Sequence, residues 1–320
     1  MPQPLPAVEE EAKVVRELRK ILGRPDLGVS CTATRVAVWN GHSAAVRAVL
    51  PLGEVMVAAP LEQQTGAGRS LFSFDEGSIA RVDCAVDGHQ VTAYTVHASP
   101  AQVVLHALLE LVPRKPTLCV SGINFGENVG SRVTSSGTLG AAMEAAADGV
   151  PALAASLQTD PMYHRLHSEE IDFAAATHFT RTFAARLLAM KMPPDVDVLK
   201  LDVPDDATPA TPWRVTRLSR EGYFRALPSG RTHLAEKRLL GYGIAVDLQR
   251  LEADSDVHAL TIDRVVSITP ISLDLTSRVL LSDLQALHRP HKEEVGGGWS
   301  RPRHRRSPGK HCPPGQQRGG

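Results

Sequence analysis

The chain predicts an α/β protein, a parallel sheet covered by helices on both faces and followed by a β-rich C-terminal extension. Three observations carry this reading. The runs "TLCVS" (117–121) and "ALAASL" (152–157) are continuously apolar, as strands buried on both faces are. Segments with helical spacing, such as "AQVVLHALLELV" (101–112), "GTLGAAMEAAADG" (137–149) and "DFAAATHFTRTFAARLLAM" (172–190), alternate with such strands. At 320 residues with 42% hydrophobic content, the chain has enough apolar material to fill the core of one large domain.

Taken in order, "EEEAKVVRELRKIL" (9–22) places Val14, Val15, Leu18, Ile21 and Leu22 at helical spacing, with acids at its start and Gly23 at its end. "RVAVWN" (35–40) reads as a strand, "SAAVRAVL" as a short helix and "EVMVAAP" (54–60) as the next strand, which makes a β-α-β pattern. "SIARVDCAV" and "HQVTAYTV" alternate on either side of Asp87-Gly88, a pair suited to a two-residue hairpin turn. After the helix at 172–190, "VDVLKLDVP" is a strand. Residues 213–271 then hold shorter runs, "WRVTRL", "GIAVDL" and "VVSITPI", between charged loops, and "RVLLSDLQALH" closes the ordered part as a helix. The expected organisation is an N-terminal helical segment (1–28), an α/β domain (29–289) that includes the β-rich extension at about 213–271, and a disordered basic tail (290–320).

Lys plus Arg and Asp plus Glu are equal at 35 each, which gives no electrostatic case for nucleic acid or membrane as a partner of the whole chain. From Arg289 onward eight Lys or Arg stand against two Glu, but so polar a tail reads as a solvated one, and nucleic acid is not expected. The acidic N-terminus lacks the pattern of a secretory signal, and no apolar run approaches ~18 residues. A soluble, cytoplasmic protein is expected. Cys31, Cys84, Cys119 and Cys312 form no CxxC pair, so neither a zinc site nor a disulfide framework is indicated.

Ligands of an open parallel sheet collect beyond the carboxyl ends of its strands. Three segments reach that end: "APLEQQTGAGRS", "SGINFGENVG" and "SSGTLG". The last combines the free N–H groups of a helix start with the hydroxyls of Ser135, Ser136 and Thr138, and Gly137 permits close approach, an arrangement suited to a phosphate. Taken singly, Ser136-Gly137-Thr138 is an ordinary helix cap and Asn124 a turn residue; their convergence in one domain is what gives them weight.

In order and spacing, "APLEQQTGAG", "VSGINFGENVG", "SSGTLGAAMEAAADGVPALAASL" and "VSITPISLDLT" resemble the SurE family of metal-dependent 5'/3'-nucleotidases, from about Ala44 to about Leu287. The resemblance implies a Rossmann-like core, a C-terminal extension exchanged between protomers of a homodimer or tetramer, and hydrolysis of nucleoside monophosphates with Mn²⁺ or Mg²⁺. It assigns phosphate binding to Ser136, Gly137, Thr138 and Asn124, and metal binding to Thr65 and Asn124. The family's adjacent aspartates have no match: no Asp-Asp pair occurs before Pro60, "RVAVWNGHSAAV" stands in that place, and the catalytic residues are left unassigned. Asp26 and His42 are the nearest substitutes, and neither lies in a matching motif. A nucleotide-binding or scaffold homologue without turnover is the alternative.

Overall fold

The computed structural model describes residues 39–71, 77–161, 163 and 171–288. The helix expected at 9–22 and the tail from Arg289 lie outside the described residues. In chain order the elements are α1 (Trp39–Val49), β1 (Val57–Pro60), β2 (Ile79–Val86), β3 (His89–Val96), α2 (Pro100–His106), β4 (Cys119–Phe125), α3 (Gly137–Ala147), β5 (Ala152–Leu157), α4 (Ala174–Ala189), β6 (Val198–Val203), β7 (Trp213–Val215), β8 (Phe224–Leu227), β9 (Gly241–Ile244), α5 (Asp256–Thr261) and β10 (Val266–Ile271). These belong to a unit that ends at Leu275. A second unit begins at Thr276, and its described part forms a 3-10 helix at Leu281–His288, within the run where the sequence predicts a helix.

The main sheet has the order β4-β5-β6-β10-β7. Strands β4, β5 and β6 are parallel, β10 runs antiparallel to β6, and β7 pairs in parallel with β10. Every residue of β5 and β6 is buried, as expected of strands covered by helices on both faces. A second sheet has the order β1-β3-β2, with β1 parallel to β3. Its β2-β3 hairpin turns on Asp87 and Gly88, both at positive φ (49° and 80°), the backbone that a two-residue turn of this kind demands. Of the short runs in 213–271, β7 and β10 join the main sheet, whereas β8 and β9 form a separate antiparallel pair.

Helices cover the main sheet on both faces. On one, Ala44 and Ala45 of α1 and Phe179 and Phe183 of α4 pack with Ile123, Leu153 and Leu201. On the other, Leu139, Ala142 and Ala145 of α3, with Val104 of α2, pack against Ala152, Ala154 and Val198. Burial of each large aliphatic side chain here stabilises by about 1.5–3 kcal/mol. Both α1 and α2 also reach the smaller sheet: Val46 packs with Val86 and Val91, and Val103 with Val96 and Ala58.

The strand expected at 35–40 is corrected at its end. Trp39 and Asn40 belong to α1, because burying Ala44, Ala45 and Ala48 on one face selects the helical period over the alternation of "RVAVWN". Ser99 caps helix α2: its Oγ accepts from Gln102 N at 3.3 Å while Gln102 Oε1 accepts from Ser99 N at 3.4 Å, a capping box. No described helix is long and apolar enough to cross a membrane.

Beneath the sheet's carboxyl end lies a buried charge cluster. Lys200 Nζ donates to Asp202 and, at 3.1 Å, to Asp256 Oδ2, and the three side chains are 0–1% exposed. Burial works against the ammonium, but the two carboxylates outweigh it and hold the Lys200 pKa above its ordinary value. Replacing Lys200 by Met leaves two buried carboxylates without a cation. The variant is expected to lose about 3–5 kcal/mol of unfolding free energy in urea titrations; a loss below about 1 kcal/mol would show that the cluster is not ionised.

Candidate active site

The chain after β1 is folded back onto the start of α3. Leu61 N donates to Val96 O (2.8 Å), Gly68 N to Ser135 O (3.0 Å), and Arg69 Nε to Glu144 Oε2 (2.5 Å). A Cβ at Gly140 would lie 2.2 Å from Gly68 O, so glycine in the first turns of α3 is what permits this contact. The result brings Thr65 to the helix start. Its side chain is exposed, and its Oγ1 accepts from Gln63 Nε2 at 3.0 Å.

Strand β4 continues beyond the expected end at Ser121, through Gly122 and Ile123, and takes in Asn124. Against β5 its register shifts between Ser121 and Asn124, where three steps along β4 match two along β5. Asn124 is therefore a strand-end residue and not part of a free loop. Its Nδ2 donates to Phe125 O (3.2 Å) and Gly126 O (2.7 Å), and no described residue donates to its Oδ1. Ser136 caps α3, with Oγ accepting from Leu139 N at 3.1 Å.

A cavity of about 1010 Å³ is lined by Thr65, Asn124, Ser136, Gly137 and Thr138, so the residues expected to bind phosphate and metal share one wall system. Sequence reasoning missed three further wall residues, Glu127, Asn128 and Arg132. Two of them are the "EN" of the same quoted stretch, and the signal available was their place three and four residues beyond Asn124. Asn128 is held by donating its N to Asp202 Oδ1 (2.8 Å) and its Nδ2 to Ser156 Oγ (2.7 Å), and Gly130 N donates to Asp256 Oδ2 (3.1 Å). The buried charge cluster thus fixes the segment that carries Glu127 and Asn128.

The donor set can be tested against a divalent cation. Thr65 Oγ1 and Asn124 Oδ1 are neutral, whereas hard cations of this kind are held by carboxylate oxygens. Among the described residues no group of three or more His, Cys, Asp or Glu could hold a metal. Of the cavity's carboxylates, Glu54 pairs with Arg114 at 3.3 Å, Glu62 is exposed and Glu127 is buried. Asp205 and Asp206 lie outside the cavity wall, bound by Arg264, whose Nη2 reaches Asp206 Oδ1 at 2.6 Å. Asp26 lies outside the described residues, and His42 belongs to α1. The described residues alone do not fit a divalent ion; Thr65 and Asn124 offer it neutral oxygens only, and the N-terminal dipole of α3 lies beside them.

Glu127 is 3% exposed, and burial pushes its pKa up to about 7 against hydrogen bonds that favour the ionised form. Its Oε2 accepts from Thr159 N at 3.4 Å, while its Oε1 has no partner among the described residues. The folded pKa lies above the ordinary 4.5, so the folded chain binds the extra proton between these values, and stability falls as pH rises through 7. Glu127→Gln is expected to gain about 3 kcal/mol relative to the parent on going from about pH 4 to about pH 8. Denaturant unfolding of both proteins across that range checks it, and parallel pH profiles would refute it.

The SurE family model, described as "Survival protein SurE", matches residues 39–225. The chain is 39% identical to the 5'-nucleotidase SurE of Thermococcus gammatolerans over 75% of this chain and 88% of that protein. It is 38% identical to the 5'-nucleotidase SurE of Methanosarcina acetivorans, over 83% and 96%. The crystal structure of the SurE protein from Aquifex aeolicus superposes with a TM-score of 0.57 at 25% identity, covering 79% of this chain and 96% of that one. The family model covers more than half of the chain, the relatives are more than 30% identical over most of their length, and the core of parallel strands flanked by helices agrees with them: the chain belongs to the SurE family.

Proposed function

We propose that the chain hydrolyses nucleoside 5'- and 3'-monophosphates, as a cytoplasmic homodimer or tetramer. The observation that carries this reading is the shared cavity of Asn124 and Ser136-Gly137-Thr138 at the start of α3. A helix leaves its first amides without internal acceptors, and with the positive end of the helix dipole they favour a phosphate dianion. The Thr138 hydroxyl and the Arg132 guanidinium line the same cavity and supply further donors of the kind that phosphate oxygens take. The substrate class comes from the curated SurE relatives, which are 5'-nucleotidases by name. Assembly is supported by the exposed leucines near the β8-β9 pair, Leu234, Leu239, Leu240 and Leu248, an apolar surface of the sort that partners cover.

The family's chemistry uses a divalent ion, Mn²⁺ or Mg²⁺, to neutralise phosphate charge and activate water. In this chain Thr65 and Asn124 supply only neutral oxygens toward one. That same observation favours a second reading, nucleotide binding without turnover.

Phosphate release from a panel of nucleoside monophosphates, with Mn²⁺ and with EDTA, decides between the two. The expected outcome is phosphate release that Asn124→Ala reduces by about a hundredfold or more. Absence of release from folded protein that still binds nucleotide in EDTA would establish the second reading in its place.

A further inference from the structure

Among the described residues, three cations line the cavity: Arg114, Lys115 and Arg132. Arg114 pairs with Glu54 at 3.3 Å. Lys115 precedes β4, near the amino end of that strand, and a Cβ on Gly149 would lie 2.9 Å from its Nζ. Arg132 is the cation on the side of Ser136-Gly137-Thr138. Its side chain is exposed, and no described residue, Glu62 of the same wall included, forms an ion pair or hydrogen bond with its guanidinium.

The backbone sets its place. Gly130–Ser135 forms a 3-10 helix that runs directly into Ser136, the cap of α3. Side chains three apart eclipse in a 3-10 helix, which puts Arg132 and Ser135 on one face. Both line the cavity, and Ser131 and Thr134 do not. Ser135 Oγ donates to Arg132 O at 2.8 Å, and Gly68 N, from the loop that carries Thr65, donates to Ser135 O at 3.0 Å. At about 2 Å of rise per residue, Arg132 and Ser136 are about 8 Å apart along the chain, a gap that an arginine side chain spans.

Stability alone gives no reason for a cation at this point. A helix start is the positive end of its dipole, so a cation beside it weakens the helix where an acid would strengthen it. Without a carboxylate partner, the guanidinium does not offset that cost. An anionic ligand reverses the sign. With a phosphate at the first amides of α3, dipole and guanidinium attract the same charge, and the planar fork of N–H donors matches two phosphate oxygens. Thr65 and Asn124, in contrast, hold out only neutral oxygens to a divalent ion. We propose that the cavity holds a phosphate group without a divalent ion, with Arg132 supplying at the start of α3 the positive charge that a metal would otherwise bring. This rests on the reading of that helix start as the phosphate site, and not on turnover.

Equilibrium dialysis of labelled inorganic phosphate against the full-length chain, in EDTA and in Mg²⁺, tests it. Affinity in EDTA is expected to lie within about twofold of that in Mg²⁺, and to fall about tenfold or more in Arg132→Gln. Arg132→Lys is expected to restore part of the loss, as a point charge without the fork. Without phosphate, Arg132→Gln is expected to unfold in urea at the parent's midpoint or slightly above it, and added phosphate to raise the midpoint of the parent more than that of the variant. A lower phosphate-free midpoint would make Arg132 a structural residue and overturn the proposal. Binding that requires Mg²⁺, or equal affinity of parent and Arg132→Gln in EDTA, would leave the phosphate site standing and refute the role of Arg132. Absence of phosphate binding by folded protein under both conditions would remove the site itself, and this role with it.

Discussion

One ammonium shared by two buried carboxylates organises the carboxyl end of the main sheet. Lys200 and Asp202 lie on β6, two residues apart on the same face, and Asp256 opens α5 from the far side of the β8-β9 segment. The carboxylates have oxygens to spare, and backbone amides use them. Asp202 accepts from Asn128 N, while Asp256 accepts from Gly130 N, Ser219 N (2.9 Å) and Val257 N (2.8 Å). Two negative charges against one positive would be costly in a dry interior, and the four amides supply the missing compensation. Three of these bonds tie two remote segments, 128–130 and Ser219, to the cluster. The cavity wall at Glu127 and Asn128 owes its position to this cluster more than to its own loop sequence.

Much of the fold was legible because local and global preferences agree. Asp87-Gly88 reads as a hairpin turn from its readiness for positive φ, and the continuous apolar runs of β5 and the start of β4 read as buried strands for the reason that two helical layers cover them. What was not legible depends on contacts between distant residues. Asn124 looked like a loop residue because its neighbours are glycines, yet pairing with Ser156 across a bulge keeps it in β4. Trp39 and Asn40 looked like a strand end because alternation over six residues is weak information against a helix face that buries three alanines. Within "VDVLKLDVP" the Lys and Asp of β6 are polar interruptions whose partner, Asp256, lies more than fifty residues on, and no local pattern announces that pairing.

The candidate site divides in the same way. Its phosphate-facing part, Ser136-Gly137-Thr138 at the start of α3, was legible because a helix N-terminus is a local property of the chain. Its setting was not: the contact of Gly68 with Gly140 that brings Thr65 close is a backbone approach between segments seventy residues apart, and only the absence of a side chain at Gly140 hints at it.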